Sequence, residues 1–159
     1  MNKTHLFLLT MLFFSTALFS SESTGKETYI PPEVKTLVDS TFSVRATERA
    51  EAAFKLGKLG EKADKSVPFL LRMLDDNLPV WCRYNGEGTW TTPGQEASKA
   101  LSQIGRPSLQ YILPLLENSH PYISINEHMK KNLASALNKI SGMEFGDDFV
   151  KWAEWLKSQ

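Results

Sequence analysis

The stretch that decides the fold is Thr91-Thr92-Pro93-Gly94-Gln95-Glu96-Ala97-Ser98-Lys99-Ala100-Leu101-Ser102-Gln103-Ile104-Gly105. It carries the signals for both ends of one helix. The Thr92 hydroxyl is expected to cap the first turn, with Pro93 at the first helical position and Gln95 completing a capping box. Gly105 supplies a residue that tolerates positive φ after the last turn. Between these ends, apolar residues form one helical stripe at Ala97, Ala100, Leu101 and Ile104.

Two sets of predicted helices flank and include this segment. The first set, the A helices, repeats an i, i+3, i+4, i+7 apolar pattern at Val34/Leu37/Val38/Thr41, Val67/Leu70/Leu71/Leu74, Leu109/Ile112/Leu113/Leu116 and Phe149/Trp152/Ala153/Leu156. The second set, the B helices, aligns Ala53–Gly60 with Ser98–Gly105 and Ala134–Ser141. The aligned leucines, Leu56, Leu101 and Leu137, are 45 and then 36 residues apart, which is typical of stacked two-helix repeats.

This alternation predicts one continuous hydrophobic core. Its expected members are Val67, Leu70, Leu74, Ala97, Leu101, Ile104, Leu109, Ile112, Leu116, Leu133 and Leu137. Ser124 with Glu127 predicts a capping box at the start of the last B helix. Trp152 and Trp155 are expected to cover the end of the core, because the terminal repeat of such an array needs a lid; a binding platform is the alternative for this pair.

The segments Arg49–Gly60 and Ser66–Asp76 resemble the B and A helices of the bacterial HEAT-repeat family. The resemblance extends over residues 31–157. It implies an all-α fold, a short right-handed α-solenoid of HEAT-like helix pairs with about three and a half repeats, in a single domain over 31–159. The resemblance also implies a binding function, since solenoids of this kind mostly act by binding.

The family also has a characteristic ion pair. A basic residue seven positions before the B-helix leucine often pairs with an acidic residue in a neighbouring turn. Arg49 and Lys130 occupy that position here, whereas the middle repeat has Gly94. The resemblance therefore implies a ladder of ion pairs that is interrupted once.

The N-terminus has the pattern of a secretory signal peptide over residues 1–23. Lys3 is followed by the apolar run Leu6–Phe19, which is shorter than the roughly 20 residues that a spanning helix needs. Residues 24–30 are polar and predict a disordered lead-in. The expected location is periplasmic or secreted; if the segment is retained instead, the protein becomes a membrane-tethered interaction module.

Composition and motifs argue against several function classes. The 18 basic and 18 acidic residues balance, so no general attraction to nucleic acid or anionic lipid is expected, nor membrane association after signal cleavage. His120 and His128 lack the further ligands of a zinc site, and Cys82 lacks a neighbouring base. The sequence therefore predicts no catalytic, cofactor-binding or metal-binding residues and no enzymatic activity.

Residues 80–91 predict a β-hairpin inserted between two helices. Asn85-Gly86 separates two β-prone runs and favours a two-residue turn, which pairs Tyr84 with Glu87 and Trp81 with Trp90. Aromatic and arginine side chains are over-represented at binding hot spots, so the candidate partner-binding residues are Trp81, Arg83, Tyr84 and Trp90. The alternative is that both indoles fold back onto the core and serve only packing.

Taken together, these patterns predict an exported HEAT-repeat protein that binds or scaffolds another protein without catalysis of its own. The alternatives are an accessory module of an enzyme or chaperone complex and the membrane-tethered module described above. The partner is expected to be a protein, with no cofactor involved.

Overall fold

The computed structural model describes residues 29–84, 86–120 and 123–159. Within them the chain is mostly helical, with seven α-helices, two 3₁₀ segments and one small two-stranded antiparallel hairpin. The predicted signal peptide, 1–23, and residues 24–28 of the lead-in lie outside the described residues. Tyr29 and Ile30 precede the first helix without regular structure.

The chain order of these elements follows the predicted alternation, with the hairpin between the third and fourth helices. They are α1 (Pro32–Ser40), α2 (Ala46–Lys58), a 3₁₀ segment (Gly60–Ser66), α3 (Val67–Met73), β1 (Val80–Tyr84), β2 (Glu87–Thr91), α4 (Pro93–Ile104), a second 3₁₀ segment (Arg106–Ser108), α5 (Leu109–Leu116), α6 (Glu127–Ser141) and α7 (Phe149–Lys157).

The central helix is α4. It packs against α2 on one side and α6 on the other, while α3 also contacts it. The α2–α4 contact is close because the facing residues are small: a Cβ on Gly57 would lie 2.9 Å from the Cα of Ala100. Outside this row, α1 packs against α2 and α5 packs against α7.

One large hydrophobic cluster joins all seven helices. Ten of the eleven predicted core residues are buried in it, and Leu101 is completely buried. The exception is Leu116, which is partly exposed at the edge of the cluster, whereas the neighbouring Leu115 is buried. Leu115 and Leu116 both lie one turn beyond Ile112, at i+3 and i+4. The buried face of α5 is therefore centred closer to Leu115 than to Leu116.

The N-cap of α4 and the glycine that ends the helix form as the sequence predicts. The Thr92 hydroxyl accepts a hydrogen bond from the Gln95 backbone N–H at 3.1 Å, and Pro93 is the first helical residue. Gly105 ends the helix with φ of 78°. The predicted capping box does not form: the Gln95 side-chain oxygen lies 3.4 Å from the Thr91 hydroxyl, on the side of the hairpin, and does not accept from the Thr92 backbone N–H.

The predicted cap of α6 is wrong. Ser124 was expected to be the N-cap with Glu127 at the third position, but the cap is Asn126 and Glu127 is the first helical residue. The Asn126 side-chain oxygen accepts from the Met129 backbone N–H at 2.9 Å. Asparagine is at least as good a cap as serine, and here it lies closer to the first buried residue of the helix.

The ion pair expected at Arg49 is present. Its guanidinium donates to the Asp76 carboxylate at 2.6 Å and to the backbone carbonyl of Ser43 at 2.8 Å, and the two charged side chains are only about one-sixth exposed. The first turn of α2 is thereby joined to the loops that precede it and that follow α3.

The equivalent positions in the other two B helices differ. At the middle position, the backbone N–H of Gly94 donates to the Asp76 carbonyl at 2.8 Å, so a main-chain bond replaces the side-chain pair. Lys130 pairs with Glu127 in its own helix, not with a neighbouring turn as expected. The B helix α6 is linked to the end of α3 instead by Asn132, whose amide donates to the Leu74 carbonyl at 2.8 Å.

The cap of α4 gives a simple stability prediction. Replacing Thr92 with alanine should lower the free energy of unfolding by about 1 kcal/mol, because the Gln95 N–H loses its acceptor. Thr92→Ser keeps the hydroxyl and should recover most of this loss in a urea titration. If the alanine variant unfolds at the wild-type urea concentration, the Thr92 cap does not stabilise α4.

Candidate functional site

The hairpin forms with the predicted register. Trp81 pairs with Trp90, Tyr84 pairs with Glu87, and the two intervening pairs follow in order. Gly86 has φ of 91°, which is the positive value that the second residue of such a turn requires. Alternate side chains of the two strands therefore point to two different faces.

The inner face of the hairpin packs on α2. Val80 and Cys82 are buried against Ala50 of that helix. Beyond them, the ring of Tyr84 stacks on the ring of Phe54, with centroids 4.0 Å apart and planes within 10° of parallel. This apolar contact holds β1 against the helical body and fixes the direction of the outer face.

The base of the hairpin is tied to α4 by a buried carboxylate. Glu96 is 1% exposed and accepts a hydrogen bond from the Thr91 hydroxyl at 2.6 Å. The ammonium of Lys99, 2.8 Å from the same oxygen, supplies the opposite charge. A buried carboxylate is costly unless it has such partners. The Thr91–Glu96 hydrogen bond therefore joins the end of β2 firmly to the first turns of α4.

The outer face carries the two tryptophans. Trp81 is 51% exposed and Trp90 is 69% exposed, although β1 is packed against α2 through its other face. Their rings meet edge to face, with centroids 5.5 Å apart and planes at 65°. The Trp81 ring also lies over Gly88, where a Cβ would be only 2.3 Å from it. The pair is thus an ordered aromatic surface that faces solvent.

The structure brings together three of the four candidate partner-binding residues. Trp81, Trp90 and the exposed Arg83 share the outer face, because Arg83 follows Trp81 by two positions along β1. Tyr84 has the opposite orientation and packs on Phe54. We name the surface formed by Trp81, Arg83 and Trp90 the outer aromatic face.

The Tyr84 hydroxyl is an unsatisfied polar group on the inner side. It is buried and makes no hydrogen bond to another described residue. The loss of hydration raises the pKa of this phenol above its ordinary value. The ring therefore contributes packing, and the hydroxyl opposes it.

This arrangement predicts the effect of Tyr84→Phe. The stacking is retained and the unsatisfied hydroxyl is removed, so the free energy of unfolding at pH 7 should stay equal or rise. The raised pKa of Tyr84 in the folded state means that folding favours the neutral phenol. This contribution to the free energy of unfolding is complete below the unfolded-state pKa of about 10 and is lost as the pH rises above it. Urea titrations at neutral and alkaline pH should show a smaller alkaline loss in Tyr84→Phe.

A contrasting variant separates the ring from its hydroxyl. Tyr84→Ala removes the stacking as well and should lower the free energy of unfolding by about 2 kcal/mol, as the loss of a partly buried aromatic side chain does. A similar loss in Tyr84→Phe would contradict the assignment, since it would mean that the hydroxyl has a stabilising partner.

The two histidines and the cysteine that were weighed as site residues make local contacts in the fold. His128 lies within 3.3 Å of the Asn77 amide, and His120 accepts from the Ile123 backbone N–H at 3.1 Å. Cys82 is buried on the inner face of the hairpin, against α2. Over the described ranges, no group of three or more His, Cys, Asp or Glu side chains is placed to hold a metal ion. No helix in that part of the chain has the length and apolarity to cross a membrane.

The two C-terminal tryptophans lie at the end of the core. Trp152 is completely buried, and its indole N–H donates to the Gly146 carbonyl at 3.0 Å. Trp155 is partly buried and meets it edge to face, with centroids 5.9 Å apart. Their contacts are those of a lid over the last helices and not those of an exposed platform.

Comparisons of the chain with protein-family models, with curated proteins and with solved structures find no match.

Proposed function

We propose that this protein is a short, exported HEAT-like solenoid that binds another protein through the outer aromatic face, without catalysis of its own. The observation that carries the proposal is the exposure of Trp81 and Trp90 on a hairpin that is packed against α2 through β1 and tied to α4 through Thr91. The indoles are exposed because the hairpin is held in place with this face outward. Their exposure is a property of the folded state.

The solenoid part of the proposal is supported by the alternation of the helices. In the row α2–α4–α6 the three B helices contact one another in order, and the A helices α1 and α3 pack on α2 and α4. Arg49, Gly94 and Asn132, one from the N-terminal half of each of these helices, all bond the segment Leu74–Asp76 that follows α3. The three B helices therefore present their N-terminal halves to the end of the same A helix.

The chemistry of the outer aromatic face suits protein recognition. Tryptophan and arginine are the residues that most often dominate the binding energy of interfaces, because they bury large areas with few rotatable bonds or form several hydrogen bonds. The Trp81 ring is already held over Gly88, and the Trp90 ring is in contact with it. Little side-chain entropy would be lost when a partner covers them.

Affinity capture tests the proposal. Immobilised wild-type protein and the Trp81→Ala/Trp90→Ala double variant are incubated with an extract from the source organism, and the retained proteins are compared quantitatively. A partner should be retained by the wild type and lost from the double variant, at least about 10-fold, as expected when hot-spot residues are removed. Val150→Ala provides the control, since Val150 is an exposed apolar residue of α7 (70% exposed) outside this face.

Two results of the affinity capture would contradict the proposal. If the double variant retains the same partners in the same amounts, the outer aromatic face is not the recognition surface. If Val150→Ala loses them instead, the binding surface is on the C-terminal helix.

A further inference from the structure

Strand β2 is an open edge of the hairpin. On β1 the inner-face residues are packed against α2, but on β2 the inner-face residues Glu87 and Thr89 are exposed, as are the outer-face residues Gly88 and Trp90. β2 therefore extends beyond the helix that supports β1. Within the described part of the chain, no third strand pairs with it.

The backbone of this edge has unused hydrogen-bonding groups. The two-residue turn makes Tyr84 and Glu87 a hydrogen-bonded pair, so Cys82 and Thr89 form the next such pair. The N–H and C=O groups of Gly88 and Trp90 then point away from β1. The Trp90 carbonyl accepts only a long bond of 3.3 Å from the adjacent Thr89 hydroxyl, which leaves its second lone pair available.

These groups are arranged symmetrically about one residue. Gly88 and Trp90 flank Thr89, and each offers one donor and one acceptor in the same direction. An identical strand running antiparallel about an axis at Thr89 would place Gly88 opposite Trp90 of the second copy, and Trp90 opposite its Gly88. All four outward groups on each strand would then be paired, which is the self-complementarity that a two-fold interface needs.

We propose that β2 pairs with β2 of a second copy of this chain, antiparallel and centred on Thr89, to form a four-stranded sheet. This goes beyond the partner binding proposed above and does not depend on it. The two-fold axis is perpendicular to the sheet, so the outer aromatic faces of both copies lie on the same side. The result is one continuous surface with four indoles.

The side chains fit this register. Trp90 stands opposite Gly88 of the second copy, a residue without a Cβ that is covered by the ring of its own Trp81. An aromatic side chain across from a strand glycine compensates for the missing side-chain contacts. Each Trp90 would therefore meet the Trp81 ring of the other copy at the centre of the interface.

The charges are compatible as well. The centred register places Glu87 opposite Thr91 of the second copy, so no like charges face each other. The whole chain has a formal net charge of zero, so two copies do not repel each other at long range. β2 carries a single charged residue, whereas natural edge strands that avoid pairing usually carry several such residues or a proline.

Disulfide trapping tests both the pairing and its register. In the proposed dimer the two Thr89 residues are directly opposed at a non-hydrogen-bonded site, where a disulfide can form between substituted cysteines. Thr89→Cys should therefore give a covalent dimer under mild oxidation. The two Glu87 residues would be displaced by about 13 Å along the strands, which a disulfide cannot span, so Glu87→Cys is the matched control.

The expected result is that Thr89→Cys cross-links at least about 10-fold more than Glu87→Cys, since only the first pair meets the geometric requirement. Wild type, whose single Cys82 is buried, should not cross-link under the same conditions. Light scattering of unmodified protein should show a two-fold increase in mass with concentration. A constant monomer mass, or equal cross-linking of the two cysteine variants, would overturn the proposal, and neither result bears on capture of a different protein.

Discussion

Leu101→Ala is expected to lower the free energy of unfolding by about 2–5 kcal/mol, one of the two largest effects among the single substitutions considered. Leu101 is completely buried on α4, the helix that contacts α2, α3 and α6. Its truncation removes apolar contacts and leaves a cavity that packed helices can fill only in part. The measurement is equilibrium unfolding in urea, followed by circular dichroism.

The matched control is the same truncation at an exposed leucine. Leu78 is 54% exposed, so Leu78→Ala should change the free energy of unfolding by less than about 0.5 kcal/mol. If Leu101→Ala loses no more than Leu78→Ala does, α4 is not the centre of the core.

Arg49→Ala is expected to lower the free energy of unfolding by about 2–3 kcal/mol, because it leaves the Asp76 carboxylate without its partner in a site largely shielded from water. Arg49 also donates to the backbone carbonyl of Ser43, so the loop before α2 loses a hydrogen bond. The loss should be visible as an earlier urea midpoint with an unchanged slope.

An exposed ion pair provides the comparison. Lys35 and Asp39 are 2.9 Å apart on α1, with both side chains about two-thirds exposed. Lys35→Ala should change the free energy of unfolding by about 0.5 kcal/mol or less, as exposed pairs of this spacing do. Equal losses in the two variants would mean that Arg49 contributes no more to stability than a surface charge.

The features that were predicted correctly depend on local signals. The hairpin register follows from Asn85-Gly86, because a two-residue turn fixes every pair along the two strands. The apolar stripes identify the helices for the same reason, since their spacing repeats within a single turn. Even the fully buried position of Leu101 could be predicted, because it lies at the centre of its stripe.

The features that were missed depend on contacts between distant segments or on competing local signals. Tyr84 does not belong with Trp81, because residues three apart along a strand point to opposite faces; that its face is the one packed on Phe54 of α2 depends on the tertiary contact. The N-cap at Ser124 was wrong because Asn126, two residues later, satisfies the same pattern. Ser124 and Asn126 are both good N-cap residues, so the local sequence does not decide between them, and tertiary packing does.

The contact at Gly94 also depends on distant segments. The sequence predicts an interruption of the ion-pair ladder at Gly94, but the Gly94 N–H donates to the Asp76 carbonyl. A Cβ at this position would lie 2.8 Å from the Leu74 carbonyl oxygen, so glycine permits the close approach. Only the relative positions of α4 and the loop after α3 reveal that the contact is made by the main chain.

The central claim is that the Trp81–Trp90 pair serves recognition and not packing, and thermal unfolding of the Trp81→Ala/Trp90→Ala double variant tests it most directly. Loss of a cross-strand aromatic pair at the surface should lower the melting temperature by less than about 5 °C, with Leu101→Ala as the reference for a true core loss of about 10 °C or more. A small shift in the double variant is the predicted result. A fall as large as that of Leu101→Ala would contradict the account and would make the hairpin a part of the core.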